Sequence, residues 1–392
     1  MIARPAFSVL QCASALSRGM SPHGWVSTAP FGVLFERIAM RILSLQLANY
    51  RNYVRAELRP CAGVTVLAGD NAQGKTNLLE AVYLCCTGRS HRTRQDRELI
   101  RWGADFCRVA VEAERRDGTH AVEIAIPAAG RRKIRVNGSE ISRSGELMGH
   151  VTGVLFSPED LRLVKDGPAE RRRFIDIALS QVRPSYYYAL QRYARALKQR
   201  NELLRAGNLE TLESWDEQLA RAGAEIMAAR AEYIARLSAA AARTHADIAC
   251  ERETLSIAYA PNVEDGDILR ALRKARDVDM RRMTTSAGVH RDDVRFCVDG
   301  RELRLFGSQG QQRTAALSVR LAELDVVKEE SGEAPVLLLD DVMSELDPER
   351  RRRLLAHLDG VQTIVTCTDI ADIAGARAGL VLRVEAATLT QA

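Results

Sequence analysis

The sequence contains no apolar run long enough to cross a bilayer, and it has few cysteines and few aromatic residues. No stretch approaches the roughly 18 consecutive apolar residues of a transmembrane helix, which excludes an integral membrane protein. The eight cysteines in 392 residues are too sparse for a disulfide scaffold, and no pair has Cys-x-x-Cys spacing. We therefore expect reduced thiols and a cytoplasmic location. Aromatic residues make up only 5% of the chain, which disfavours a stacking platform for single-stranded nucleic acid.

A strong excess of one charge is also missing. Lys and Arg number 56 against 51 for Asp and Glu, and the net charge of +5 permits a polyanionic partner without demonstrating one. Apolar residues make up 46% of the chain, which is ordinary for a protein with a buried core. The length predicts about two or three domains.

Residues 1–39 differ from the rest, with several arginines, a single acid (Glu36) and no sustained periodicity. Three interpretations stay open. The segment is a transit peptide, or a secretory signal whose apolar stretch is broken at Ser8 and Gln11, or an extension ahead of a true start at Met40. We favour the start at Met40, because ordered alternation begins immediately after it. In each case 1–39 is expected to be disordered.

A phosphate-binding loop follows the short apolar run Val64–Ala68, which predicts a buried strand. The pattern Gly-x-x-x-x-Gly-Lys-Thr comes next and then an apolar helical stretch, so both flanks match the motif. Lys75 would reach the β- and γ-phosphates, and the Thr76 hydroxyl would ligate Mg²⁺. The alternative, a strand–helix turn with an incidental lysine, is disfavoured by the flanks. The predicted nucleotide-binding residues are Gly69, Asp70, Asn71, Ala72, Gln73, Gly74, Lys75 and Thr76.

A second apolar run, Val336–Leu339, ends in Asp340 and Asp341. A carboxylate at the end of a strand is placed to hold a metal ion, and we assign that role to Asp340. The next carboxylate can orient or deprotonate an attacking water, so Asp341 and Lys75 are the predicted catalytic residues. Alone, a pair of acids at a strand end is more often a turn, but the phosphate loop favours the functional interpretation.

The segment 306–312 opens a predicted helix that runs from Ser308 to about Glu330. Ser308, Gly310 and Gln311 at a helix N-terminus are typical of an anion site. Alone this segment would be an ordinary capped helix. Its position shortly before the Asp340 strand gives it more weight.

The middle of the chain, 184–246, is rich in Ala, Leu, Arg and Glu and predicts two helices. Apolar residues in the second helix alternate at three- and four-residue steps, which favours a short antiparallel coiled hairpin. An ordinary amphipathic pair packed on a globular core stays open. The repeating positions are Leu212, Trp215, Leu219, Ala222, Ile226, Ala229 and Tyr233.

Further motifs occur in a fixed order: Leu-Ala-Asn-Tyr-Arg-Asn-Tyr at 47–53, Phe-Ser-Pro-Glu-Asp-Leu at 156–161, Gly-Val-His-Arg-Asp-Asp at 288–293, Ser-Gln-Gly-Gln-Gln-Arg at 308–313 and Ser-Glu-Leu-Asp at 344–347. With the phosphate loop they resemble the ABC-type ATPase heads of the SMC superfamily. Within that superfamily the sequence is similar to the RecF family of bacterial DNA repair proteins. The resemblance covers residue 40 to about residue 384. One departure is Thr-Cys-Thr-Asp at 366–369, where ABC transporters carry a switch histidine.

The resemblance implies an α/β fold, an ABC/SMC-type ATPase head (P-loop NTPase) with a short antiparallel coiled helical arm. The expected domains are an ATPase lobe with the loop and a β-meander at 40–155, a helical arm at 156–280, and the rest of the ATPase core at 281–392. Two heads would sandwich two ATP molecules with Mg²⁺, each loop being completed in trans by Ser308, Gly310 and Gln311 of a second copy. The implied protein is a weak DNA-dependent ATPase that acts as a switch and forms an ATP-dependent homodimer. Its implied partners are RecR, with RecO as a second candidate, in loading the recombinase RecA.

Basic residues cluster after the first helix, where Arg89, Arg92, Arg94 and Arg97 are the predicted DNA contacts, with Arg101 close behind. Further clusters occur at 171–173 and 350–353. Such charge can contact phosphates without reading bases, so we expect sequence-tolerant binding. The scarcity of aromatic residues favours duplex DNA, and the family resemblance implies single-strand/duplex junctions. The alternative is that each cluster is a solvated face.

Two other functions fit the sequence less well. A transporter's ATP-binding subunit is disfavoured by the predicted helical hairpin between the phosphate loop and the Ser-Gln-Gly-Gln-Gln-Arg motif. It is also disfavoured by the missing switch histidine. A long-armed chromosome-organising SMC protein is disfavoured because the segment between Thr76 and Ser308 is too short and no Cys-x-x-Cys hook exists.

Overall fold

The computed structural model describes residues 39–249, 253–373 and 377–391. The predicted disorder of 1–39 falls almost wholly outside these residues. In the described ranges, no helix combines the length and apolar character needed to cross a membrane. The strands are β1 (Arg41–Tyr50), β2 (Tyr53–Leu58), β3 (Val64–Ala68), β4 (Phe106–Arg115), β5 (Gly118–Pro127), β6 (Lys133–Val136), β7 (Ser139–Glu140), β8 (Gly153–Phe156), β9 (Leu255–Ala260), β10 (Asp293–Val298), β11 (Arg301–Glu302), β12 (Val336–Leu339), β13 (Thr363–Cys367), β14 (Ala378–Glu385) and β15 (Thr388–Gln391). The helices are α1 (Lys75–Thr87), α2 (Leu161–Lys165), α3 (Pro168–Val182), α4 (Pro184–Ala206), α5 (Leu212–Ala249), α6 (Ile268–Arg282), α7 (Leu303–Phe306), α8 (Gln309–Ser331) and α9 (Pro348–Ala356).

The nucleotide-site strands belong to one sheet with the order β15-β14-β3-β13-β12-β8. Its strand pairings are parallel except that between β14 and β15. Every residue of β3, β12 and β13 is buried, as expected for strands covered on both faces. Because β3 and β12 are separated only by β13, their C-terminal ends lie near each other. This topology brings the phosphate loop to the acid pair.

The predicted meander is a second sheet, antiparallel, with the order β2-β1-β4-β5-β6-β7. The dipeptide Asn137-Gly138 predicts a two-residue hairpin turn, and it forms the last turn of this sheet, with the positive φ at both residues (50° and 81°) that a type I′ turn requires. The simple alternation expected along β1 is wrong at Leu43, which is exposed. A bulge between Ile42 and Ser44 shifts the register and turns Leu43 outward.

Helices α4 and α5 form the predicted antiparallel pair, joined by ion pairs such as Arg192 to Glu225 at 2.5 Å. Helix α5 also packs against α8, β9 and α6. The alternation of apolar residues at three- and four-residue steps did not indicate these contacts. His245 on α5 lies 3.1 Å from the Ser318 hydroxyl of α8, and Ser238 accepts a hydrogen bond from the backbone of Ile257 on β9. The arm therefore shares a core with the final third of the chain. The expected domain boundaries stay predictions. Strands β9 and β10 lie on opposite sides of the expected boundary between residues 280 and 281, and they pair with each other.

The motif at 288–293 holds this shared core together. Asp292 accepts a hydrogen bond from Arg230 of α5 at 2.9 Å and from the backbone of Asn262 at 2.8 Å. Asp293 pairs with Arg171 of α3 at 2.6 Å. These pairs, buried at Asp292 and partly buried at Asp293, join the arm helices to the strands β9 and β10.

A buried arginine links the tip of the arm to α6. The Arg200 side chain on α4 is fully buried, and it donates to Asp216 of α5 at 2.5 Å and to Asp279 of α6 at 2.7 Å. Charges removed from water are tolerated only when they are paired.

Arg200→Ala is expected to lower the free energy of unfolding by about 3–5 kcal/mol, because it leaves the buried Asp279 carboxylate without its cation and leaves Asp216 with Arg276 alone. Urea unfolding followed by circular dichroism measures this. Arg192→Ala is the matched control, since Arg192 lies on the same helix and pairs with Glu225 in solvent, where such a pair contributes at most about 1 kcal/mol. Equal destabilisation of the two variants would contradict the argument.

Candidate functional site

The loop between β3 and α1 is shaped for a close approach of its backbone to a ligand. Gly69 and Gly74 have φ of 152° and 117°, which favour glycine. A Cβ at Gly74 would lie 2.7 Å from the amide nitrogen of Asn52 and 2.8 Å from the Tyr53 hydroxyl. No described residue accepts a hydrogen bond from the backbone N–H of Gly74, Lys75 or Thr76. These donors at a helix N-terminus form an anion site.

Lys75 lies inside this loop. Its ammonium donates to the carbonyl oxygen of Gly69 and, at 2.8 Å, to that of Asp70. Burial lowers the pKa of Lys75, while the carboxylates of Asp341 and Asp340 oppose that shift. The predicted phosphate-binding cation is therefore held in the loop and within electrostatic reach of both acids.

The acid pair lies opposite the loop, as predicted. Asp340 Oδ1 accepts hydrogen bonds from the Thr76 hydroxyl at 2.8 Å and from the Thr366 hydroxyl at 2.9 Å. Burial raises the pKa of Asp340, and these two hydrogen bonds oppose the increase. The Asp340 carboxylate and the Thr76 hydroxyl are hard oxygen donors side by side, the chemistry that Mg²⁺ prefers.

Asp341 has an unusual backbone and an unsatisfied oxygen. Its φ is 52°, a region that non-glycine residues seldom adopt, and its N–H donates to the Thr366 hydroxyl at 2.9 Å. Its Oδ1 is buried with no hydrogen-bond partner among the described residues. A buried carboxylate oxygen without a partner normally meets water or an ion, so the pocket fits a hydrated Mg²⁺–nucleotide.

Thr366 is a site residue that the sequence analysis missed. It lies on β13, between the loop strand and the acid strand, and its hydroxyl connects Asp340 to the backbone of Asp341. The only signal in the sequence was the Thr-Cys-Thr-Asp segment at 366–369, which stands where ABC transporters carry a switch histidine. The acids are therefore positioned by a threonine at this place.

Asn52 and Asn77 are also part of the pocket, and the signal for Asn52 was its place in the motif at 47–53. The Asn52 amide donates to the carbonyl of Gln73 at 3.1 Å, and its oxygen accepts from Asn77 at 2.8 Å. The Gln73 side chain instead accepts from the backbone of Ala386 at 2.7 Å. Gln73 thus anchors the loop to the β14–β15 turn.

Arg92 lies in the same pocket, and Asn77 Oδ1 accepts its hydrogen bond at 2.8 Å. The fully buried Glu80 holds this region to α1, since it pairs with Arg51 at 2.6 Å and accepts from the Ser90 hydroxyl at 2.6 Å. Burial tends to raise the pKa of Glu80, but the hydrogen bonds from Arg51 and Ser90 hold it below its ordinary value. The position of Arg92 favours a nucleotide contact over the predicted DNA contact.

Ser308, Gly310 and Gln311, which we call the signature residues, do not line this pocket. Ser308 caps α8, its hydroxyl accepting from the N–H of Gln311 at 3.2 Å while the Gln311 side chain accepts from the Ser308 N–H at 2.9 Å. Gln311 also donates to Glu253 at 3.0 Å, so its amide is already engaged. Ser308 and Gly310 are exposed. Their completion of a second copy's site stays a prediction.

The remaining predicted DNA arginines lie outside the nucleotide pocket. Arg97 donates to the carbonyl of Ala128 at 3.0 Å, and Arg89 and Arg94 are exposed along a separate groove. In the second cluster, Arg171 is buried against Asp293, which favours a structural role over the DNA contact considered for that cluster.

In the third cluster, two arginines of α9 pair with acids at the N-terminus of that helix. Arg350 lies 3.3 Å from Asp347, and Arg353 lies 3.0 Å from Glu349. These local pairs reduce the charge that the cluster offers to a phosphate backbone.

Known proteins are similar to this chain over most of its length. The family model described as "RecF/RecN/SMC N terminal domain" matches residues 41–386. The DNA replication and repair protein RecF of Acetivibrio thermocellus is 42% identical over 345 residues, 84% of this chain and 94% of that protein. The protein of the same name from Clostridium novyi is 42% identical over 341 residues, 85% of this chain and 94% of its own length.

Solved structures agree with the sequence matches. The recombination mediator protein RecF in the RecFOR pathway, solved as RecF-ATP, matches with a TM-score of 0.85 at 33% identity, covering 91% of this chain and 99% of its own. The RecF-ATPrS structure matches with a TM-score of 0.83 at 34% identity over the same shares. An Smc head domain from Pyrococcus furiosus matches at 0.55 and 16% identity, a likeness of fold alone.

Proposed function

Because this chain belongs to the RecF family of DNA replication and repair ATPases, we propose that it is an ATP-switched DNA-binding protein of recombinational repair. ATP binding joins two copies at gapped or junction DNA, where the dimer helps to load the recombinase with RecR and RecO. Slow hydrolysis then releases the dimer. The observation that carries the proposal is the pocket in which Lys75, Thr76 and the two acids meet.

Each residue of the pocket has a role in this proposal. The backbone N–H groups from Gly74 to Thr76 and the Lys75 ammonium bind the phosphates. Thr76 and Asp340 would hold Mg²⁺, which supplies charge that stabilises the developing negative charge on the phosphates. Asp341, whose Oδ1 has no described partner, orients or deprotonates the attacking water.

The shared site is supported by the position of the signature. The N-terminus of α8 is exposed, and the pocket on the same chain is lined without it. A helix N-terminus favours an anion, and the γ-phosphate bound by a second copy supplies one. Association then depends on ATP, because the nucleotide lies between the two surfaces. The two relatives named above are DNA replication and repair proteins, which disfavours the transporter alternative.

Replacing Arg89, Arg94 and Arg97 by alanine is expected to weaken DNA binding for all sequences. The log–log salt slope should become shallower by up to about 0.9 for each phosphate that the protein no longer neutralises. Arg92 is left intact because it lies in the nucleotide pocket. Fluorescence anisotropy with a gapped duplex, at several salt concentrations and with and without ATP, measures both effects.

The matched control replaces three exposed arginines elsewhere, Arg281, Arg282 and Arg295. Equal weakening in the two triple variants would place the DNA on another surface. If the affinity of the unaltered protein for gapped DNA does not change with ATP, the proposed switch is itself wrong.

A further inference from the structure

A groove of about 870 Å³ lies between the segment that follows α1 and the helices α3 and α4. It shares no lining residue with the nucleotide pocket. We call it the arginine groove because its lining includes Arg89, Arg94, Arg132, Arg172, Arg173 and Arg230. Asp96 and Asp176 are the acids of that lining.

Three of these guanidinium groups are held in place by neutral acceptors. Arg132 donates to the carbonyl of Gly88 at 2.6 Å, Arg172 to that of Asp292 at 2.5 Å, and Arg173 to that of Ser90 at 3.3 Å. A carbonyl fixes the position of a guanidinium without neutralising its charge. Burial lowers the pKa of Arg172, and the nearby Arg230 adds to this shift.

The two acids of the groove have partners other than Arg172 and Arg173. Asp176 pairs with Arg230 at 2.9 Å and accepts from the Tyr186 hydroxyl, while Asp96 lies 3.8 Å from Arg132. Neither acid forms an ion pair with Arg172 or Arg173. Two half-buried, preorganised cations are therefore left for an anionic ligand, and a guanidinium binds a carboxylate in a bidentate manner.

The other part of the lining is aliphatic. Leu190, Ala194 and Leu197 recur at four- and three-residue steps on α4 and form one face of the helix, with Ile177 of α3 beside them. Two tyrosines complete this lining. Tyr193 is buried, and its hydroxyl is hydrogen-bonded to His290 at 2.7 Å, while the half-buried Tyr187 packs against the core with its ring edge-on to Tyr188. Aliphatic side chains suit the apolar residues of a peptide, whereas nucleobases are usually held by exposed aromatic faces.

We propose that the arginine groove binds an extended acidic segment of a partner protein, in which carboxylates alternate with aliphatic side chains. The carboxylates pair with Arg172 and Arg173, and the aliphatic side chains pack on the α4 face. This is the mode by which arginine clusters recognise acidic motifs. The site goes beyond the ATP function proposed above, since it shares no residue with the nucleotide pocket. It also goes beyond the proposed DNA contacts, because it rests on Arg172 and Arg173; Arg89 and Arg94 belong to both sets, so DNA is a competing ligand.

The test uses the full-length protein and a fluorescein-labelled ten-residue peptide of alternating Asp and Leu, followed by anisotropy. We expect saturable binding that weakens at least tenfold when Asn replaces every Asp, and also when Ser replaces every Leu. Absence of saturable binding would overturn the proposal. Binding that persists without the carboxylates would do the same.

Ala194→Glu tests the location. Ala194 is exposed on α4 and faces the groove, so a glutamate there places a negative charge beside the ligand at little cost to the helix. We expect at least tenfold weaker peptide binding and unchanged ATP binding, while Ala194→Gln retains the affinity. Equal affinity in Ala194→Glu and the unaltered protein would overturn the assignment. Tighter binding of labelled oligothymidylate, with displacement of the peptide, would assign the groove to nucleic acid instead.

Discussion

Lys75→Ala is expected to abolish ATP-dependent dimerisation and to lower ATP hydrolysis by about a hundredfold or more, with the fold retained. The ammonium is held inside the loop by the carbonyls of Gly69 and Asp70, so it is already in place when a triphosphate arrives. Without this cation the phosphates face the carboxylates of Asp340 and Asp341 uncompensated. ATP then binds poorly, and the nucleotide no longer joins the two copies.

Sedimentation with and without ATP measures the dimer, and release of phosphate measures hydrolysis. Lys133→Ala is the matched control, because Lys133 is an exposed lysine on β6 far along the chain from the loop. Thermal unfolding of both variants checks the fold. A normal ATP-dependent dimer in Lys75→Ala would show that the assignment of the site is wrong.

Asp341→Asn is the contrasting variant in the same pocket. It keeps the shape of the side chain and removes its basicity, so ATP still binds and the dimer persists while hydrolysis is abolished. The Asp341 backbone contact to Thr366 remains available in this variant. The pair of variants thus separates binding from chemistry, and hydrolysis at the normal rate in Asp341→Asn would contradict the role of its carboxylate.

Mixing Ser308→Arg with Lys75→Ala protein is expected to restore ATP-dependent association between two proteins that each fail to dimerise. Ser308→Arg places a cation at the N-terminus of α8, where it opposes the helix dipole and crowds the incoming phosphate. The nucleotide pocket of the same chain lacks Ser308 in its lining, so monomeric ATP binding should remain nearly normal. In the mixed dimer, one composite site carries both changes and the other carries neither.

The intact composite site is expected to support partial hydrolysis if one good site is enough. If the sites act only in pairs, association returns without turnover. Ser308→Ala is the control for the cap itself, since removing the hydroxyl that accepts from Gln311 costs about 1 kcal/mol of helix stability. Recovery of neither association nor hydrolysis would count against a shared site, and a normal dimer of Ser308→Arg alone would exclude it.

The loop and the acid pair were readable in the sequence because each is contiguous and its chemistry is local. A glycine with positive φ, a lysine and a hydroxyl must stand at set positions between a buried strand and a helix, and Gly69 to Thr76 satisfy this in one segment. The same holds for Asp340 and Asp341 after a fully buried strand, and for the Asn137-Gly138 turn. Such features depend on neighbours in the chain.

Strand order was not readable in the same way. Thr366 lies in the site because β13 lies between β3 and β12 in the sheet. No pattern in the sequence near residue 366 predicts which strands neighbour β13. Leu43 alternates in the sequence like a buried residue, but the bulge beside it is decided by pairing with β4. The packing of α5 against α8 likewise joins distant segments of the chain, as between His245 and Ser318, and no local pattern pairs them.

The arginines show the division most clearly. By itself, the sequence determined that a cluster of positive charge follows a phosphate-binding loop, because composition and motif are properties of the chain. Only the tertiary structure decided what each arginine does: Arg92 lies in the nucleotide pocket, Arg97 is bonded to Ala128, and Arg89 and Arg94 line the arginine groove. The physical reason is that the charge of a side chain is set by its type, whereas its partners are set by which distant segments pack beside it.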